Sequence, residues 1–284
     1  MGGRCTVEAT DGGGRTVRKR AAVVFGLLTL IAAQAAPSGA VVGGVTANTA
    51  ADRYVVDRMG TLLGPELGPF CGGTVLDAWT VLTAASCVVG LPESADLYFN
   101  RGDYDLSTEA ETENEVVGVE RAIPHPRYAA HSGVNDIAVL KVAGPMGLAD
   151  EGAWEHMWSL GDTSLERAGT PVVMYGWGAV SSGGALPSVL RKAETRVASH
   201  DACEAGHGSP VTDDILCLAA LDAQRGSCQG DEGGPVLAAD ADGRRSLIGV
   251  LGTQGMRCGL HPYESTTRVS GYRAWIVNRM GAPT

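Results

Sequence analysis

Beyond residue 40 the chain holds six cysteines, Cys71, Cys87, Cys203, Cys217, Cys228 and Cys258, and six histidines, His125, His131, His156, His200, His207 and His261. A zinc site needs thiolates or imidazoles at close, regular spacing. No two of these cysteines are two residues apart, and no histidine pair has helical ligand spacing. The thiols therefore read as disulfides, for which six cysteines allow fifteen pairings. Carboxylates form a second group: Asp103, Asp105, Glu109, Glu111, Glu113 and Glu115 crowd one stretch. Oxygen donors of that kind suit calcium, or simply a solvated acidic loop. A third group is Gly230-Asp231-Glu232-Gly233-Gly234-Pro235, a glycine-rich turn that carries two acids.

These residues need a scaffold, and composition bounds it. The 284 residues are 44% hydrophobic and 19% charged, so the chain can bury a substantial core. Forty glycines with few aromatics favour short strands and tight turns. A net charge of −10 excludes a phosphate-backbone binder, which needs clustered cations. Nucleic acid is not an expected partner.

Residues 1–40 read as a leader. Arg18-Lys19-Arg20 precede an apolar run, Ala21 to Ala35, and small residues follow up to Ala40. A basic flank, a short apolar core and a small-residue exit predict a signal peptide, cut after Ala35 or Ala40. The run is shorter than the ~20 residues that span a bilayer. A secreted, extracellular product is expected, with no membrane contact once the signal is gone. From Val41 on, 17 cationic side chains face 30 acidic ones, a net of −13.

Strand-like runs follow, among them Thr80–Thr83, Val116–Val119, Ile137–Val142, Pro171–Tyr175 and Ser246–Leu251. Gly, Pro, Asn and Asp clusters punctuate them, which predicts an all-β barrel or sandwich. Only Gly271 to Met280 has helical spacing, through Tyr272, Trp275, Ile276 and Met280.

Ordered motifs sharpen this. The series runs Val41-Val42-Gly43-Gly44, Cys71-Gly72-Gly73-Thr74, Leu82-Thr83-Ala84-Ala85-Ser86-Cys87, His125-Pro126-Arg127-Tyr128 and Asn135-Asp136-Ile137-Ala138. It continues with Gly176-Trp177-Gly178, the Gly230–Pro235 turn, and Thr267-Arg268-Val269 before Trp275-Ile276. In this order and spacing the chain resembles the trypsin-like serine protease family, from Val41 to about Met280. The resemblance implies two six-stranded antiparallel β-barrels with a C-terminal helix. The first barrel is expected over about 41–150, the second over about 151–270 and the helix over about 271–281. It also implies the pairings Cys71–Cys87, Cys203–Cys217 and Cys228–Cys258, each contributing about 3 kcal/mol.

Acyl transfer in this family needs a serine hydroxyl, an imidazole and a carboxylate together. At the matching positions the chain carries Ser86 for the imidazole and Glu232 for the hydroxyl, while Asp136 keeps the carboxylate. Loss of base or nucleophile alone removes about 10⁶ in turnover from a serine protease. The expectation is thus a degenerate triad and no enzyme: a pseudoprotease that acts by protein binding. The rival is an active serine hydrolase with a relocated base, His131.

The resemblance assigns further roles. Backbone N–H groups of Gly230 and Glu232 match the oxyanion hole. The Glu232 carboxylate is expected to point to water, with an inward plug onto Gly230 as the alternative. Val41 and Asp231 match an N-terminal amine and its buried partner. Gly226 matches the specificity-pocket floor, with Gln254 and Glu264 on its walls, which implies a narrowed, acidic pocket. Asp103 and Glu113 match the outer pair of a calcium loop, the only cofactor site implied. The implied partner is an extracellular protein: a protease, a protease inhibitor or a hydrolase.

Overall fold

The computed structural model describes residues 41–64, 68–92, 96–108, 114–147, 158–207, 211–219, 226–252, 258 and 263–282. The expected signal segment, Glu113 and Gln254 lie outside these described residues.

The first barrel closes in the order β2-β3-β4-β7-β6-β5. Its strands are β2 (Met59–Leu63), β3 (Pro69–Asp77), β4 (Thr80–Thr83), β5 (Tyr98–Arg101), β6 (Glu115–Pro124) and β7 (Ala138–Val142). Every residue of β4 and β7 is buried, as expected of neighbouring strands inside a closed wall. Phe99, Met59, Leu62, Leu82 and Leu140 fill the interior, each worth about 1.5–3 kcal/mol of burial. Lys141 is the exception on β7. Its Nζ donates to Thr80 Oγ1 at 3.0 Å and to the Gly281 carbonyl at 2.6 Å, so the buried ammonium is met by oxygens.

Strands β9 (Pro171–Gly176), β10 (Arg191–Val197), β11 (Ile215–Ala219), β12 (Pro235–Ala239), β13 (Arg245–Leu251) and β14 (Tyr263–Arg268) close a second antiparallel barrel. On β10 the alternation is plain: Ala193, Thr195 and Val197 face in, whereas Glu194 and Arg196 face out. Val172, Met174, Leu216, Leu218, Val236 and Ile248 form its core, and Val41 packs into it. A short β8 (Trp158–Leu160) runs parallel to β13 outside the ring.

Both ends of the described stretch cross to the other half. The first strand, β1 (Val45–Thr46), pairs with β10 of the second barrel, although chain order places it before the first. Behind it, Lys192 Nζ reaches Asp52 at 2.7 Å, and Tyr175 donates to the same carboxylate at 2.9 Å. At the other end, a 3-10 turn (Val269–Tyr272) leads into a helix, Arg273–Val277, which is shorter than its sequence spacing suggests. Tyr272 and Trp275 pack edge-on against His125 of the first half, both at 5.1 Å. The Gly281 N–H then donates to Asp77 at 2.7 Å.

The three disulfides are Cys71–Cys87, Cys203–Cys217 and Cys228–Cys258, as the resemblance implied. Among the described residues no helix is long and apolar enough to cross a membrane.

Candidate active site

Ser86 lies in a 3-10 turn, Ala85–Cys87, just past β4, and the Cys71–Cys87 bridge fixes that turn to β3. Facing it is Asp136, only 1% exposed. Its Oδ1 accepts the Ser86 N–H at 2.7 Å and its Oδ2 accepts the Ser86 hydroxyl at 2.9 Å. Such donors are what a buried carboxylate requires.

Asp136 is aimed by its neighbour. Asn135 has φ 57°, a left-handed conformation that asparagine tolerates better than most residues. The Asn135 side chain donates to the Arg127 carbonyl at 2.9 Å and accepts from the Tyr272 hydroxyl at 2.9 Å. From the second barrel, Asp214 accepts the Asn135 N–H at 3.2 Å and the same tyrosine hydroxyl at 2.9 Å. Thr267 closes the frame by donating to the Asp136 carbonyl at 2.8 Å. Sequence reasoning missed Asn135, Asp214 and Tyr272 as site residues. The sequence signals for them were an Asn before the key Asp and a tyrosine assigned only to helix periodicity.

The second barrel supplies the glycine-rich turn. Asp231 is fully buried and accepts the Gly178 N–H at 2.8 Å and the Cys228 N–H at 2.9 Å. Gly178 must be glycine, since a Cβ there would run into the Asp231 carboxylate. Gly233, at φ 83°, presses against Thr83 and the Gly72 carbonyl, where a side chain would not fit. Across the same seam the Gly72 N–H donates to the Glu232 carbonyl at 2.6 Å. The turn is thus held from both barrels.

Glu232 points inward, not to water as expected. Its Oε2 accepts the Gly230 N–H at 2.7 Å, and its own backbone N–H also serves the carboxylate. The reason is alignment: the turn sets these N–H groups within reach of a short, folded-back side chain, and a charge-assisted bond outweighs exposure. The exposed Leu186 lies over Gly230 on the outer side.

Burial sets the electrostatics here. It pushes the Asp231 carboxyl up to about 8, against the pull of the Cys228 and Gly178 N–H groups and with help from Glu232 and Glu264. Burial also raises Glu232, opposed by its own and the Gly230 N–H, while Asp136 adds to the rise. Glu264 on β14 is raised by burial too, with Ser227 opposing. The Ser227 N–H meets Glu264 Oε2 at 3.0 Å, while the buried Oε1 has no hydrogen-bond partner within 3.5 Å among the described residues.

Other predicted positions fall as follows. Val41 is completely buried, and Val42 bridges to Gly226, its N–H donating to the Gly226 carbonyl at 2.9 Å. His131 is exposed on the loop before Asp136. Asp103 is buried, and its Oδ2 accepts amide donors from Asn100 at 2.9 Å and Asn114 at 3.3 Å. Glu115 pairs with Arg101 at 3.0 Å. These carboxylates already serve amide and guanidinium donors, and among the described residues no group of three or more His, Cys, Asp or Glu could hold a metal. Glu113, the other member of the expected calcium pair, lies outside the described residues, as do Glu109 and Glu111.

Two closed antiparallel barrels joined at a seam that carries Asp136 and the glycine-rich turn define the two-barrel serine protease class. The trypsin family model matches residues 41–276, and the chain belongs to that family. It is 29% identical to trypsin eta of Drosophila erecta over 89% of this chain and 95% of that protein. It is 30% identical to the serine protease filzig of Drosophila melanogaster over 84% of this chain, and 32% to ovochymase-2 of Mus musculus over 66%. The chain spans only 14% of filzig and 31% of ovochymase-2.

These matches correct one expectation. From Ser86 and Glu232 the chain was expected not to be an enzyme, yet its family and its relatives, named trypsins and serine proteases, point to a protease. Family membership rests on residues 41–276 as a whole and not on the two side chains at positions 86 and 232.

Proposed function

We propose that this trypsin-like serine protease domain is secreted and engages an extracellular protein, a protease, inhibitor or hydrolase, along the seam between its barrels. The observation that carries this reading is the site itself. Asp136 is held by Ser86 and the turn is pinned from both barrels, which makes a rigid frame for a bound chain. Binding loops on a rigid scaffold are a general way for such folds to recognise proteins. The three disulfides suit an oxidising compartment. Residues 1–40 are read as the signal, Val41 and Asp231 as an N-terminal amine and its buried partner, and Gly226 and Glu264 as floor and wall of a specificity pocket.

Two measurements test this. Expression in a secretory host should deliver the chain to the medium with its new N-terminus at Ala36 or Val41; retention in cells overturns secretion. Calorimetry against a reactive-loop protein inhibitor of trypsin-like proteases should show a saturable one-to-one complex; no heat with several such inhibitors overturns cleft binding.

A second reading follows from the relatives' names: that the domain also cleaves what it binds, as a serine hydrolase whose base is recruited from outside the matching position, His131 being the candidate. A fluorophosphonate should then label one serine covalently, and His131→Ala should abolish the label. Absence of any label sinks this reading.

A further inference from the structure

The cradle formed by the N–H groups of Gly230 and Glu232 is aimed at an anion, and an anion is already in it. Glu232 Oε2 sits 2.7 Å from the Gly230 nitrogen, and the residue's own N–H supports the same carboxylate. The backbone around it is fixed: Gly72 donates to the Glu232 carbonyl, Gly233 donates to Leu251 at 2.8 Å and Gly234 donates to Asp231 at 2.9 Å. Gly230 itself holds φ 96°, which keeps its N–H turned toward the Glu232 carboxylate. With the loop pinned on both sides, the carboxylate can leave only by rotating its own side chain.

We propose that this cradle is a carboxylate-binding site kept filled by the chain's own Glu232, and that a ligand carboxylate or acyl oxygen enters only as Glu232 rotates out. A tethered group competes at an effective concentration of roughly millimolar or more, so a weak free carboxylate cannot displace it. A ligand anchored elsewhere along the seam carries its own effective concentration and can. The Gly230–Glu232 contact is independent of which protein the domain binds.

The test uses the full chain, isotopically labelled, with acetate as the probe and the Gly230 amide proton as the reporter. In Glu232→Ala the Gly230 amide should move upfield, as expected for loss of a charge-assisted bond, and acetate should restore it saturably. In the wild-type chain the same acetate should leave that amide in place. Glu232→Gln keeps an acceptor and the side-chain volume, so it should respond to acetate less than Glu232→Ala and more than wild type. A peptide with a free C-terminal carboxylate should bind Glu232→Ala about tenfold more tightly than its C-terminal amide does, a preference the wild type lacks. A Gly230 amide that is the same in wild type and Glu232→Ala overturns the proposal. So does a wild-type chain that responds to acetate as strongly as the variants. Should Glu232→Ala not fold, the comparison of Glu232→Gln with wild type decides alone, and equal acetate responses overturn the idea.

Discussion

The two barrels bring acids to the same seam in different surroundings. The first contributes Asp136, whose two oxygens take the N–H and O–H of Ser86 and whose backbone is framed by Asn135, Asp214, Tyr272 and Thr267. The second contributes Asp231, Glu232 and Glu264, which sit among backbone N–H donors; burial raises all three, and Glu232 and Glu264 raise Asp231 further. Neutral donors are enough to hold a buried acid in place. They do not keep Asp231 ionised at neutral pH.

The largest expected effect is therefore on pH. Asp231 binds its proton more tightly folded, at about 8, than unfolded, near 3.8. A raised folded value favours the folded state below the unfolded one, and that advantage is lost as pH rises toward the folded one. Stability of the full chain should fall between about pH 4 and pH 8 by roughly 1 kcal/mol per unit from this group, several kcal/mol in all. Denaturant midpoints across that range check it. A flat profile would erase the contrast between the barrels.

Next comes Asp231→Ala, which orphans the Gly178 and Cys228 N–H groups and opens a cavity. We expect a loss of about 3 kcal/mol at pH 5, read by chemical denaturation, whereas Asp231→Asn should cost less and flatten the pH profile. On the first-barrel side, Ser86→Ala removes one of the donors to Asp136 and should cost about 1–2 kcal/mol. A loss as large as that of Asp231→Ala would show that the two sides are equally strained. Smallest, and opposite in sign, is Glu264→Gln. Relieving a carboxylate whose charge burial opposes should stabilise the chain by about 1 kcal/mol at pH 8 and by less at pH 5.

Much of this architecture is legible in the sequence. The strand runs at Thr80–Thr83 and Ile137–Val142 are β4 and β7, and the ordered glycine and cysteine motifs carry both barrels and all three bridges. What sequence spacing cannot carry is direction. It places Glu232 at the turn, but the inward side chain depends on how two N–H groups are aimed, which only the closed turn decides. It places Asn135 beside Asp136, but not Asp214, which is 79 residues away in the chain and meets it only when the barrels close. The destination of β1 is lost for the same reason, since Val45 finds its partner at Lys192. Nor do two altered side chains outweigh a family signal spread over 236 residues, 41–276, and that is where the reading of catalysis failed.

The crossing of β1 and the last helix between the barrels has a mechanical consequence. The N-terminal strand is hydrogen-bonded into the second barrel, while the last helix and Gly281 are fastened to the first through His125, Lys141 and Asp77. None of the disulfides joins one barrel to the other. A single proteolytic nick between Val142 and Trp158 should therefore yield two fragments that still migrate together in native gel filtration and part in denaturant without reductant. Each half is buttoned shut by the other's tail, so neither barrel should survive expression as a separate piece.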